Sequence, residues 1–245
     1  MSEVIYGKNS LLEALRSNPN GDYFKDIYLL KEDKDVSNLC ANNNLKVRIV
    51  TKDKFNNILK ENKIDNVNHQ GYLGIVKGYE YFSLEDIISN EEDSLIVALD
   101  GLEDPHNLGA IIRTCEISGV SGVIIPKNRS VKVTPTVEKV STGATRYVKV
   151  CQVTNLVNTL KELKKQGYWI VGAEASEKSQ NFWKLDYKMK VCLVVGSEGF
   201  GVSRLVKEEC DYLAEIPMWG KVNSLNASVA CGILIYEIRR QQRNR

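Results

Sequence analysis

Three short segments of this 245-residue chain concentrate residue types that bind and activate small polar groups. The first, DGLEDPHNLG at 100–109, runs into a stretch that carries Arg113 six residues after Asn107. The second, GSEGFG at 196–201, directly follows the apolar run VCLVV, and the third is IPMWGKVNSLNAS at 216–228. Each follows an apolar run of strand type, and ligands of open α/β sheets bind outside the carboxyl ends of strands. The glycines of the second segment fall at 196, 199 and 201, which is neither G-x-G-x-x-G nor G-K-[ST], so a dinucleotide or Walker loop is excluded. Glu198, in its middle, would repel a pyrophosphate and suits a ligand with a cationic centre. Asn107 and Asn226 fit either of two tasks, capping a helix or donating to a ligand. Ser224 and Asn226 precede and open the last helix, where free N–H groups attract anions. Gly196 lacks a Cβ and would let a ligand approach the backbone, whereas Ile216 and Leu225 taken alone suit plain core packing.

The elements that must carry these segments follow from periodicity. From residue 94 onward, strands and helices are expected to alternate: strand SLIVALD, helix LGAIIRTCEISG, strand GVIIP, a helix near PTVEKVST and strand KVCQV. Helix 156–165, strands YWIVGAEA and VCLVVG, helix VSRLVKEE, strand YLAEIP and a last helix over about 225–240 complete the series. Apolar, β-branched strands alternating with helices predict an α/β fold with a parallel sheet covered on both faces. Before residue 79 the pattern predicts helices over 10–16 and 54–60 and strands over 27–30 and 47–50, a small α/β layer of its own.

Charge divides the chain in the same way. Residues 1–78 carry +2, residues 79–93 carry six acids and no base, and residues 94–245 carry +6. The acidic stretch is expected to be a linker between domains 1–78 and 94–245. Between 127 and 149, Lys127, Arg129, Lys132, Lys139, Arg146 and Lys149 face a single acid, Glu138, and fit either a solvated face or a phosphate-facing stripe. The six cysteines have no C-x-x-C spacing and are read as buried apolar residues, and two histidines cannot build a multi-His metal centre. No apolar run approaches the ~18 residues of a spanning helix, and MSEVIYGKNS lacks the basic start and apolar stretch of a signal peptide. A cytoplasmic protein without membrane or metal is expected.

Taken together, LDGLEDPHNLGAIIRTCEISG, LVVGSEGFGVS and IPMWGKVNSLNASVACGILIYE resemble the signature motifs of the SpoU/TrmH family of RNA ribose 2′-O-methyltransferases. The resemblance covers about residues 95–240, and the stretch from IYGKNSLLEAL to VNHQGYLG resembles the small RNA-binding domain of bacterial ribosomal-RNA members. It implies a deep trefoil knot in the C-terminal domain, a rarity among protein chains. It also implies a homodimer and an S-adenosylmethionine pocket built on the backbone around Gly196, Ile216 and Leu225.

By the same resemblance Arg113 acts on the ribose hydroxyl. A guanidinium with a pKa above ~12 is a poor base, so an anchor for RNA phosphate that also stabilises the developing alkoxide is the preferred role. Asn107 would orient Arg113 or the phosphate, Glu198 would orient Arg113 or answer the sulfonium, and Ser224 and Asn226 would hydrogen-bond RNA. Asn223 and Ser228 are weaker candidates. The length and N-terminal domain imply a guanosine of 23S ribosomal RNA as target, with tRNA guanosine as the alternative. A non-catalytic RNA-binding protein is disfavoured by the intact Arg113, Glu198, Ser224 and Asn226, and a nucleotide-dependent oxidoreductase by the missing glycine fingerprint.

Overall fold

The computed structural model describes residues 2–17, 23–62, 64, 67–222 and 224–243, and they fall into two units, Met1–Glu80 and Tyr81–Arg245.

In the first unit, β1 (Ser2–Tyr6), α1 (Lys8–Ser17), β2 (Phe24–Leu29), α2 (Lys34–Asn42), β3 (Val47–Ile49), α3 (Lys52–Glu61) and β4 (Tyr72–Lys77) follow one another. The sheet order is β1-β4-β2-β3, with β4 antiparallel to both neighbours and β2 parallel to β3. Strand alternation divides β2 between two cores. Ile27 and Leu29 pack with Leu11, Leu15, Val36 and Cys40 of α1 and α2, while Tyr28 packs with Phe55, Ile58 and Leu59 of α3. The expected helices and strands are present, and β1, β4 and α2 were missed. Helix α2 is only weakly apolar, KDVSNLCAN, and is fixed at its start by Asp33, which caps Asp35 N and Val36 N at 3.0 and 3.2 Å.

The second unit opens with β5 (Leu95–Asp100), α4 (Pro105–Ile117), β6 (Gly122–Pro126), α5 (Pro135–Val140), β7 (Val150–Val153), α6 (Leu156–Lys165) and β8 (Trp169–Ala173). It continues through β9 (Gln180–Asn181), β10 (Val191–Gly196), α7 (Arg204–Glu208), β11 (Tyr212–Glu215) and α8 (Ala227–Arg243). All seven strands are parallel, in the order β7-β6-β5-β10-β8-β11-β9. The two central strands, β5 and β10, are apolar and buried along nearly their whole length, as a strand covered on both faces must be. Leu156, Leu160 and Leu163 of α6 and Val206 of α7 close one face over Ile96, Ile124, Ile170 and Val194. Helix α8 packs on α4, β8 and β10.

The stretch expected to be an acidic linker, 79–93, is not free chain. Phe82 bridges in parallel to Cys151, Tyr81 Oη accepts from Val133 N at 3.0 Å, and Ile87 is 1% exposed within the α6-side core beside Leu84 and Ile88. The six acids concealed an apolar face, and from Tyr81 on this segment is part of the second unit. The carbonyl of Asp93 accepts from Arg239 Nη1 of α8 at 2.6 Å, and the same guanidinium donates to Ser118 O at 2.9 Å and to Gly119 O. Burial pulls the Arg239 pKa below its ordinary value, and these carbonyls are what the buried cation is given in return.

Candidate functional site

Three strand-to-helix loops meet at the carboxyl ends of β5, β10 and β11. In the first, Asp104 caps α4 by accepting from His106 N at 2.8 Å, with Pro105 at the first helical position. Asn107 is therefore not the cap. It lies in the first turn, only 5% exposed, with its amide turned sideways toward the neighbouring loops.

The second loop is held by its own main chain. Ser197 and Gly201 exchange two backbone hydrogen bonds of 3.1 and 3.0 Å. A Cβ on Gly196 would run into the backbone of Gly201 and Val202, so loop closure demands a glycine there, a reason that stands beside the expected approach of a ligand. Gly201 has φ +66° and packs on the Glu174 carboxylate. Glu174 accepts from Val202 N at 3.2 Å and from Lys207 Nζ at 2.7 Å, while Asp100 Oδ2 accepts from Ser203 N at 2.7 Å. Sequence reading did not single out Glu174 or Asp100. Their signal was an acid at or just past the carboxyl end of an apolar strand.

The third loop delivers Asn226, which caps α8 through Ser228 N at 2.9 Å and also accepts from Ser228 Oγ at 2.6 Å. Its Nδ2 donates to Asn107 Oδ1 at 2.9 Å and to Glu198 Oε1 at 2.8 Å, and Asn107 Nδ2 donates to the same Glu198 oxygen at 2.7 Å and to Asp104 Oδ2 at 3.2 Å. One carboxylate oxygen thus draws two amides from two other loops, and the Asn226 amide uses all of its donors and acceptors. The arrangement is a tie across three segments of distant sequence.

Around this tie are two cavities. The larger, about 620 Å³, is lined by Gly196, Glu198, Ile216, Ser224, Leu225 and Asn226, with Met218 at one side and Ala227, Ala230 and Leu234 of α8 behind. The smaller, about 280 Å³, is lined by Gly101, Leu102, Glu103, Asp104 and Asn107, and shares Ser197, Glu198 and Phe200 with the larger. All three residues expected to bind cofactor lie in the larger cavity, as do Glu198, Ser224 and Asn226. Arg113 does not join them. It is exposed on α4 and makes no hydrogen bond or ion pair among the described residues, so the expected pairings with Glu198 and Asn107 are absent. Six residues at 3.6 per turn rotate it about 240° from Asn107, onto another side of the helix. Asn223 lies outside the described residues.

The larger cavity has the size range of a cofactor pocket. Backbone from two loops, the apolar Ile216, Leu225, Met218 and Leu234, and one carboxylate with a free oxygen fit a nucleoside that carries a cationic centre. Fold and site together define an α/β protein with a nucleoside-sized cavity at the carboxyl ends of a parallel sheet. The SpoU rRNA Methylase family matches residues 94–236, and a substrate-binding family of RNA 2′-O ribose methyltransferases matches residues 4–82. The chain belongs to the SpoU rRNA methylase family, as an RNA methyltransferase whose methyl donor is S-adenosylmethionine. It is 43% identical, over 98% of its own length and 96% of the relative's, to a Staphylococcus haemolyticus protein named for the TrmH family of tRNA/rRNA methyltransferases. Among solved structures it is similar to the AdoMet-bound rRNA methyltransferase of Sinorhizobium meliloti, with a TM-score of 0.63, 27% identity, and coverage of 98% of this chain and 87% of that one. The TrmH/SpoU tRNA modifying enzyme of A. aeolicus matches at a TM-score of 0.58 and 36% identity, over 66% of this chain and 81% of that one.

Proposed function

We propose that this protein transfers a methyl group to a ribose 2′-hydroxyl of a guanosine in 23S ribosomal RNA. The observation that carries the reading is the Asn107–Glu198–Asn226 tie, set in the wall between a nucleoside-sized cavity and a smaller polar one. Bound S-adenosylmethionine supplies a methyl group on a sulfonium. Backbone around Gly196, Ile216 and Leu225 holds its nucleoside, and Glu198, steadied by two amides, faces the positive charge. Ser224, exposed on the cavity rim, donates to RNA phosphate or ribose. Asn107 and Asn226 act as positioning residues for Glu198. Arg113 anchors an RNA phosphate and stabilises the 2′-oxygen as its proton passes to water and the oxygen bonds to the methyl carbon with cleavage of the carbon–sulfur bond, a task that suits a fixed cation better than a base.

The separation of Arg113 from the cavity supports a homodimer. Ile117 on α4 and Val229, Ile233 and Tyr236 on α8 are exposed apolar side chains of two helices packed together. A second copy laid on these helices covers that surface and brings Arg113 to a shared seam. The reading also includes a trefoil knot, with α8 passing behind the cavity and fastened by Arg239 to carbonyls of residues 93, 118 and 119. The unit over 1–78 captures RNA, and an RNA acceptor together with six free thiols supports action in the cytoplasm.

The test is mapping of 2′-O-methyl groups in 23S ribosomal RNA and tRNA from cells with and without the gene, followed by transfer of labelled methyl to the unmodified transcript. Loss of one 23S guanosine methyl is expected. Loss confined to tRNA would move the acceptor to the alternative class, and no loss in either would end the reading.

A further inference from the structure

The residues around the cavity leave one feature unused. Trp219 is 83% exposed, Trp183 is 53% exposed, and their rings lie nearly parallel, 27° apart with centroids at 6.1 Å. Both are fixed by the sheet edge and not by burial of the indoles. Strand β9 pairs with β11, Gln180 opposite Ala214 and Asn181 opposite Glu215, so the turn after β9 lies beside the loop after β11. Asn181 Oδ1 accepts from Trp183 N at 3.0 Å, and the buried Phe182 pins the turn to the core. On the other side, Trp219 follows Met218, which lines the cofactor cavity. The pair is thus tied to the cavity rim by main-chain register. Phe200, 91% exposed, stands on the wall between the two cavities. Exposed lysines, Lys184 next to Trp183 and Lys221 two residues after Trp219, add positive charge to both segments.

We infer that Trp219, backed by Trp183, is a stacking platform for an unpaired RNA base beside the nucleotide that is methylated, with Lys184 and Lys221 contacting the flanking phosphates. The inference rests on the RNA-acceptor reading above. A ribose brought into a walled site must leave its helical stack, and the adjacent base loses a neighbour. A flat indole at the rim restores that contact with any base, since every base has a π-face. Aromatic rings flanked by cations are the composition of single-strand binding surfaces, and water alone gives two neighbouring indoles no reason to stay uncovered.

The probes are 12-nucleotide single strands of adenosine and of uridine, titrated against the full chain by indole fluorescence, with S-adenosylmethionine affinity measured separately by calorimetry. Stacking is expected to quench the emission, more with adenosine than with uridine. Trp219→Ala is expected to weaken RNA binding about 5- to 150-fold, the equivalent of about 1–3 kcal/mol of base stacking, while Trp219→Phe stays within about threefold of the parent. Neither changes cofactor affinity. Lys221→Ala lowers the salt dependence of binding by about 0.7 in log–log slope, and Trp219→Ala leaves that slope alone. Unchanged RNA affinity in both Trp183→Ala and Trp219→Ala overturns the platform while methyl transfer by the parent stands. Loss of affinity accompanied by a change in oligomeric state also overturns it, since the indoles would then hold a second copy. RNA binding with quenching but no methyl transfer to any RNA upholds the platform and sinks the enzymatic reading; no binding of either strand overturns the platform, and the methyl-mapping experiment decides the enzymatic reading by itself.

Discussion

The side-chain amides of Asn107 and Asn226, 119 residues apart in the chain, meet at 2.9 Å and both donate to a single oxygen of Glu198. Neither amide could be replaced by its acid without setting two carboxylates face to face. Asn226→Asp is therefore expected to lose at least about a hundredfold in single-turnover methylation, the scale of a ~1 Å misplacement of reacting groups. Its stability should fall far less, because the aspartate still caps α8. Thermal melting beside single-turnover rates at saturating cofactor separates the two effects. If Asn226→Ala melts early yet its folded fraction methylates at the parent rate, the residue is a cap and nothing more.

Arg113 lies outside the larger cavity and has no partner to abandon among the described residues. Arg113→Ala should keep the melting temperature and the S-adenosylmethionine affinity of the parent and abolish methyl transfer. Lysine at the same position keeps the charge but not the forked donor geometry, and should recover only a minor share. Near-normal turnover in the alanine variant would remove Arg113 from the mechanism.

Gly196→Ala tests the loop. The added methyl has only backbone to displace, at Gly201 and Val202, so the loop must open. Cofactor affinity is expected to drop more than tenfold. Gly220→Ala, where a Cβ meets nothing, is the control and should bind cofactor as the parent does. Calorimetric titration of both variants decides whether the glycine serves closure.

Acid should weaken the first unit through Asp33. Its carboxylate accepts from Lys8 Nζ and from Tyr72 Oη, each at 2.7 Å, and these bonds, the lysine first, hold its pKa down at about 2. A pKa lowered on folding gives stability that is full above the unfolded value of ~4 and is lost as pH falls toward 2. The loss is expected to be about 1–2 kcal/mol over that window, and to vanish in Asp33→Asn. Denaturant melts of residues 1–80 at pH 5 and pH 2.5 measure it.

How much of this was legible in the sequence depended on what each residue answers to. Six of the seven strands of the second sheet were foreseeable because apolar runs such as β5 and β10 alternate with helices, whereas the two-residue β9, Gln180–Asn181, carries no apolar signal. The cavity residues Gly196, Ile216 and Leu225 were foreseeable through the three motifs, but loop closure as a reason for Gly196 was not, since Gly201 comes back against it only in three dimensions. Asn107 looked like a cap because asparagine is a good one, and Asp104 three residues earlier took the position. The segment 79–93 looked like a linker because its charge outweighed Leu84, Ile87 and Ile88, which find their places only on a formed sheet. The pairing of Glu198 with amides in place of Arg113 was beyond reach, since neither spacing nor type fixes which donors a loop carboxylate will meet.

The Arg239 fastening has a bearing on how the protein is made. The back wall of the larger cavity comes from Ala227, Ala230 and Leu234, and the Arg239 guanidinium ties their helix to carbonyls of Asp93 and Ser118. Synthesis delivers this helix after every strand of the sheet. A nascent chain that has reached Glu215 holds all seven strands of the second sheet but lacks this wall. Until that helix and Arg239 follow, the sheet can be formed while the cavity still stands open at its back.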